Sequence, residues 1–316
     1  MFREAIKVLD CTIRDGGLIN NHKFDKKFVK EIYRAVSDSG VDYIELGYKN
    51  SKKLFSCDEY GPWKFCDDEL LKEVTDNIET DSKISVMVDV GRVDLDEVKD
   101  ASESPVDMVR VASYVKDIDK AIHLVNAFSE KGYETTVNIM AISRALDNEL
   151  NEALYQLEEE SRAQVIYIVD SFGALYQETA EYLTKKFKDI LKTKEVGMHA
   201  HNHQQLAFSN TIEAIIHDAN YVDGTVFGIG RAAGNCPLEL LIGFLKNPKF
   251  DIRPILDVIS SEMIDMRKEI EWGYIIPYAI SGMFNVHPKE AMALRSTDKK
   301  ENYRDFYESL SATDLD

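Results

Sequence analysis

VIYIVDSFGALYQETAEYLTKKFKDILKTKEVGMHAHN, residues 165–202, holds the unit on which the fold turns. It opens on a β-branched apolar run ending at Asp170 and Ser171, and passes through ETAEYLTKKFKDIL (Glu178–Leu191), where apolar residues recur at helical spacing. It closes on a second apolar run that carries His199 and His201. A short apolar run bounded by turn residues reads as a strand covered on both faces, and the amphipathic stretch between two such runs is a crossover helix. The unit is therefore strand, loop, helix, strand, with the two strands parallel.

The same unit recurs along the chain. Working outward, apolar runs stand at IKVLDCT (Ile6–Thr12), VDYIELG (Val41–Gly47), KISVMVDV (Lys83–Val90), VDMVRVA (Val106–Ala112), TTVNIMA (Thr135–Ala141) and VDGTVFGIG (Val222–Gly230). With the two runs quoted above, these make eight predicted strands. Helical patterns lie at Lys26–Gly40, Asp117–Gly132, Glu149–Ser161, Glu178–Leu191 and Phe208–Ala219. Successive strands start mostly 23 to 42 residues apart, the length a βα unit needs. Eight such units predict an α/β protein built as a closed (β/α)8 TIM barrel rather than a doubly wound sheet. After Pro248 the rhythm stops, and Pro254, Pro277 and Pro288 punctuate a run of helices. The expectation is a TIM-barrel catalytic domain over residues 1–247 and a helical C-terminal extension over 248–316, a surface on which copies of the chain can associate.

Composition narrows the function. The 316 residues carry 38 basic and 56 acidic side chains, a formal charge of −18, and such a field repels nucleic acid phosphates and anionic lipid. Neither nucleic acid nor membrane is an expected partner. A small anionic substrate needs a local positive centre, either a metal ion or a buried arginine. No apolar run is long enough to span a bilayer and the first residues lack the pattern of a signal peptide, so a cytoplasmic location is expected. Cys11, Cys57, Cys66 and Cys236 are scattered, which suggests four free thiols.

In a parallel barrel, chemistry sits at the C-terminal ends of the strands. The first strand leads into CTIRDGG (Cys11–Gly17) and the seventh ends in HAHNH (His199–His203). Residues i and i+2 of a strand share a face, so His199 and His201 both look into the barrel mouth. Asp15, after a strand close by in a closed barrel, can complete a two-histidine, one-carboxylate metal site; a lone HxH is otherwise an ordinary pair of core or surface histidines. Such a set suits Mn2+, Mg2+, Co2+, Fe2+ or Zn2+ and leaves positions open for the carboxylate and keto oxygens of a 2-oxo acid.

Around this triangle several residues carry two readings. Arg14 is placed to hold a developing enolate oxygen or the substrate carboxylate. Glu45 either braces Arg14 or forms an ordinary rim ion pair. Ser171 either hydrogen-bonds the substrate carboxylate or shapes its turn. Asn235, in GIGRAAGNCPLE (Gly228–Glu239), either reaches the metal or caps the helix that follows. His22 reads as a base or as an exposed loop residue, His203 as a loop histidine and Cys236 as packing. Met87, Met140 and the extension set the size of the pocket.

DCTIRDGG, IELG, DSFG, MHAHN and GNCPLE, in this order at the ends of strands one, two, six, seven and eight, resemble the DRE-TIM metallolyase superfamily over about residues 5–245. The resemblance implies Arg14 as enolate stabiliser, Asp15, His199 and His201 as metal ligands with Mn2+ foremost, Glu45 as the acidic member and Asn235 near the metal. The absence of glutamine after RDG separates the chain from the synthases of the group, and it looks most like the 4-hydroxy-2-oxovalerate aldolase branch. That branch implies cleavage of a 4-hydroxy-2-oxo acid to pyruvate and an aldehyde through a metal-bound enolate. Where it usually has a catalytic histidine, three positions after the metal aspartate, this chain has Leu18. His22, a tyrosine or metal-bound hydroxide then stands as candidate base, and Tyr274 and Tyr278 resemble a tyrosine-bearing segment of the aldolases. Two other readings remain: an acyl-CoA lyase or Claisen-type synthase, and a non-catalytic barrel that binds a 2-oxo acid.

Overall fold

A computed structural model describes residues 4–313. Eight parallel strands close on themselves in sequence order, each paired with its neighbours and β8 returning to β1. They are β1 (Lys7–Asp10), β2 (Tyr43–Tyr48), β3 (Lys83–Asp89), β4 (Met108–Ser113), β5 (Glu134–Ile139), β6 (Val165–Asp170), β7 (Glu195–Ala200) and β8 (Tyr221–Gly224). After β1 comes the buried turn α1 (Thr12–Gly16), and the outer ring of helices includes α2 (Lys26–Asp38), α3 (Asp68–Thr75), α4 (Ile118–Glu130), α5 (Asp147–Glu160), α6 (Gln177–Ile190), α7 (Ala207–Ile216) and α8 (Leu238–Leu245). Local chemistry accounts for their limits. The Asp25 carboxylate caps α2 by accepting from the Phe28 amide, and the buried face of that helix comes from Phe28, Val29, Ile32, Tyr33 and Val36 at helical spacing.

Three connections depart from expectation. β1 stops at Asp10 rather than Thr12, because the chain coils at once into the five-residue α1. β8 is four residues long rather than running to Gly230, because Phe227 and Gly228 have φ of 57° and 62° and leave the ladder. Between β3 and β4 two short 3-10 turns, Leu95–Glu97 and Ala101–Glu103, stand in place of a crossover helix.

The extension is helical. α9 (Arg253–Val258) runs through a π-helical turn at Ile259–Met263 into α10 (Ile264–Glu269), followed by α11 (Ile276–Met283), α12 (Lys289–Arg295) and α13 (Tyr303–Thr313). Ile255, Val258 and Met263 join the main apolar core, whereas Tyr278, Ile280, Ala291, Phe306 and Leu310 form a smaller one with Ala232 and Ala233 of the loop after β8. The C-terminal helices therefore rest on the rim where chemistry is expected.

Inside the barrel the layers differ in kind. Leu9, Tyr43 and Met108 fill one end, and Tyr48, Met87 and Ala112 the other. Between them lie Glu45, Arg110, Tyr167 and Asp223, all essentially inaccessible to solvent. A charged layer inside a TIM barrel is costly to desolvate, and its side chains must find one another.

Candidate active site

The turn of α1 directly after β1 aims Arg14 and Asp15 back over the barrel mouth, and both are buried. From β7, alternation sends His199 and the following His201 to the same side, with ring centroids 5.3 Å apart. Each Nε2 stands 3.8 Å from Asp15 Oδ2. Taken together, the three ligand atoms lie within 4.8 Å of one another. Ligands of one ion bonded at about 2.1 Å sit roughly 3 Å apart, so an ion fits here with a small contraction.

Protonation fits the same purpose. Burial works to raise the Asp15 pKa, yet the Arg14 guanidinium and the Asn235 hydrogen bond, joined by His201 and His199 when either ring is protonated, hold it well below the usual carboxylate range. Burial pulls His201 well below the ordinary histidine value, Asp15 opposing and Arg231 reinforcing the shift, so its imidazole is neutral and its lone pair available. His199 Nδ1 lies 2.8 Å from Asp223 Oδ2, which fixes the tautomer with the proton on Nδ1 and the lone pair of Nε2 toward Asp15. Asp15, His199 and His201 are therefore a group able to hold a divalent cation.

A continuous set of charge-assisted bonds supports the triangle. Arg14 donates from Nη1 to Asp15 Oδ2 at 2.6 Å and from Nε to Glu45 Oε2 at 2.7 Å. Arg110 on β4 donates to the same Glu45 oxygen at 3.1 Å and to Asp223 Oδ2 at 2.5 Å, and its guanidinium lies 4.4 Å from the Tyr167 ring centroid. Asp15, Arg14, Glu45, Arg110, Asp223 and His199 are thus bonded in an open chain whose two ends, Asp15 Oδ2 and His199 Nε2, stand 3.8 Å apart. Asp15 Oδ1 accepts from Asn235 Nδ2 and the Arg231 amide, both at 3.0 Å. A Cβ at residue 230 would stand 2.5 Å from Asp15 Oδ1 and 2.1 Å from Asn235 Nδ2, which is why that loop carries Gly230.

The sequence profile described as HMGL-like matches residues 5–264. The chain belongs to the HMGL-like family. Relatives of this HMGL-like protein include the 4-hydroxy-2-oxovalerate aldolase of Thermus thermophilus, 32% identical over 260 residues that cover 81% of this chain and 74% of that one. A second, from Chloroflexus aurantiacus, is 29% identical over 307 residues, 93% of this chain and 88% of the relative. Among solved structures, the N-terminal domain of an aldolase candidate from Bacteroides vulgatus superposes with a TM-score of 0.80 at 29% identity, covering 94% of this chain and 99% of that domain. The carboxyl transferase domain of Rhizobium etli pyruvate carboxylase shares the fold, with a TM-score of 0.71 at 15% identity over 95% of this chain and 54% of that one.

In this HMGL-like site, Ser171 and Met140 line an inner cavity of about 70 Å3 with Arg14, Asp15, His199 and His201. Ser171 Oγ accepts from the Ala141 amide at 2.8 Å, so it shapes the loop and keeps a hydroxyl proton to donate. Asn235 does not cap α8, whose N-cap is Pro237; it holds Asp15 instead. His22 is buried, not exposed, with its ring edge-on to Tyr48 at 5.3 Å, and burial with Lys64 and Arg14 pushes its pKa down to about 3. His203 is likewise buried rather than on an open loop, its ring 6.4 Å from that of Tyr278. Tyr278 sits in the small core with Ala232 and Ala233 and is absent from the cavity lining. Tyr274 is 63% exposed on the open turn between α10 and α11 and is likewise absent from it, so neither tyrosine of that segment meets the cavity. Tyr48, at the end of β2, is the tyrosine that does.

Sequence reasoning passed over Arg110, Asp223, Tyr48, Asn138 and Arg231. One signal was readable: Arg110 shares its strand parity with Met108 and Ala112, and so points inward in a strand that must be buried. Asp223 should matter through His199. Replacing it by asparagine is expected to weaken Mn2+ binding about 10- to 100-fold, measured by calorimetric titration, and an unchanged affinity removes Asp223 from this scheme.

Proposed function

We propose that this HMGL-like barrel is a divalent-metal-dependent carbon-carbon lyase that cleaves a 4-hydroxy-2-oxo acid into pyruvate and an aldehyde. The observation that carries the reading is the Asp15, His199 and His201 triangle with the Arg14 guanidinium held beside it by Glu45. The activity for which the two aldolase relatives are named agrees with it. The bound cation, Mn2+ foremost with Mg2+, Co2+ or Zn2+ as alternatives, supplies the Lewis acid for the 2-oxo group.

The chain's own residues do the rest. The inner cavity, about 70 Å3 and lined by the triangle and Arg14, takes the three-carbon acid half. Arg14 Nη2 and Asn138 Nδ2 are buried donors without a protein partner, and such donors call for ligand oxygens. Arg14 takes the oxygen at C2, whose negative charge grows as the C3–C4 electron pair moves to C3, while Asn138 and Ser171 take the carboxylate. Tyr48 on the cavity wall relays the proton, taking that of the 4-hydroxyl as it gives its own to C3, so the step balances without a separate base. His22 packs against its ring and, with its pKa pushed down to about 3, orients Tyr48 rather than keeping the proton, and Leu18 keeps the wall apolar. Protonation at C3 then releases pyruvate. The four free cysteines, of which Cys11, Cys66 and Cys236 are buried, suit a reducing, cytoplasmic setting.

Coupled assay of pyruvate release from a series of 4-hydroxy-2-oxo acids tests this. Release is expected with added Mn2+ and is expected to fall to background with a chelator; turnover that ignores the chelator, or no turnover on any substrate of the class, ends the proposal.

A further inference from the structure

Leu18, Tyr48, Ala112, Met140 and Arg231 are shared between the inner cavity and a second, outer cavity of about 520 Å3. If the three-carbon acid half fills the inner space, as the proposed function requires, the aldehyde half must extend across this shared wall. What lines the outer chamber therefore decides which aldehyde is accepted.

Its wall is positive in a chain of formal charge −18. Lys64, Arg92, Lys116, Lys120 and Arg231 face Asp89 and Asp117 there. Arg92 pairs with Asp89 at 3.1 Å and Lys120 with Asp117 at 2.6 Å. That leaves Lys64, Lys116 and Arg231 with no carboxylate within 4.0 Å among the described residues. Arg231 bonds neutral groups, the Ser171 carbonyl at 3.0 Å and His287 at 3.3 Å, and its Nε is buried without a partner.

Lys64 is the most unusual of the three. Only 5% of its surface is exposed, and its ammonium is enclosed by the rings of Tyr48 at 4.6 Å, Phe55 at 4.7 Å and Tyr60 at 5.3 Å. The three rings fix it in place by cation-π attraction but offer no counter-charge. Burial pulls its pKa below the usual lysine value, with Asp89 opposing from beyond ion-pair distance and Arg92 reinforcing, so the ammonium is held at a cost that an arriving anion would offset.

We propose that Lys64, with Arg231 and Lys116 across the chamber, binds an anionic group at the far end of the aldehyde half, so that the preferred 4-hydroxy-2-oxo acid carries a terminal carboxylate or phosphate. Lys64 is then a specificity determinant that sits beyond the reacting atoms and touches them only through Tyr48.

The test uses three 4-hydroxy-2-oxo acids of matched chain length that end in a carboxylate, a phosphate monoester or a hydroxyl. Pyruvate release is measured for the natural protein, Lys64→Met and Lys64→Arg. At least one charged tail is expected to exceed the hydroxyl tail about tenfold or more in kcat/KM, mainly through KM. Lys64→Met should bring that ratio below about threefold, and Lys64→Arg should restore most of it. The better charged tail tells carboxylate from phosphate. Calorimetric titration with inorganic phosphate, independent of turnover, should show binding at least about tenfold weaker in Lys64→Met. A ratio near one in the natural protein, or one that survives Lys64→Met, overturns the anion chamber and leaves the lyase intact. If no substrate yields pyruvate yet phosphate affinity still depends on Lys64, the lyase reading falls and the chamber stands; if that affinity is also indifferent to Lys64, both fall.

Discussion

Asp15→Asn is expected to lower kcat/KM for pyruvate release by on the order of 10³-fold or more and to remove tight Mn2+ binding. The substitution keeps shape and changes two things at once. It deletes the negative charge that the cation needs, and it puts an amide NH2 where only acceptors fit. Asp15 Oδ1 accepts from Asn235 Nδ2 and the Arg231 amide, and Oδ2 accepts from Arg14 Nη1. Either orientation of the new side chain therefore sets a donor against a donor, and Arg14 loses one of its two anionic anchors. Steady-state kinetics and Mn2+ calorimetry check both effects. Activity within tenfold of the natural protein would show that the cation, if one is used, lies elsewhere.

Arg110→Met should act mainly on stability. The guanidinium has no access to solvent and neutralises Glu45 and Asp223 together, and among the described residues no other arginine or lysine lies within 4.0 Å of Asp223, whose remaining close partner is the His199 ring. Removing it leaves a carboxylate buried against the apolar interior, an effect of roughly 3–5 kcal/mol in comparable buried pairs. Urea unfolding should show that loss. Turnover should fall as well, because Glu45 orients Arg14 and Asp223 orients His199. Arg110→Lys, which restores charge but not the two-armed reach, should recover stability in part and geometry hardly at all. Equal stability in all three proteins would mean that the charged layer is not held through Arg110.

Much of the site was legible before any coordinates. That His199 and His201 share a face was readable from strand parity; reading them with Asp15 as a metal set took the RDGG run just after the first strand as well, which also placed Arg14 and Asp15. The pairing of Glu45 with Arg14, offered as one of two readings, is the one the structure adopts. Other assignments needed the folded chain. Asn235 stands three residues before α8, which in sequence suggests a cap, but the backbone of the loop turns its amide onto Asp15. Polar flanks around Asn21 and His22 suggest an exposed loop; Gly61 and Trp63, forty residues on, fold over that segment and bury it. Tyr274 and Tyr278 lie in one motif, yet one faces solvent and the other a small core.

The difference has one cause. Strand count, strand direction and the face on which a residue lies follow from period and spacing, which are local properties of the chain, and they were sufficient to specify a closed parallel barrel with two histidines at its mouth. Partnership is different. That Arg110 meets Glu45 and Asp223, residues 65 and 113 positions away, depends on how the strands stagger when the barrel closes. Likewise Lys64 faces the outer chamber because the loop after β2 brings it across the rim, an approach that no local period encodes. Sequence determined the barrel and the side chains at its mouth; closure decided which charges are shared, which stay unpaired, and so what the cavities are shaped to hold.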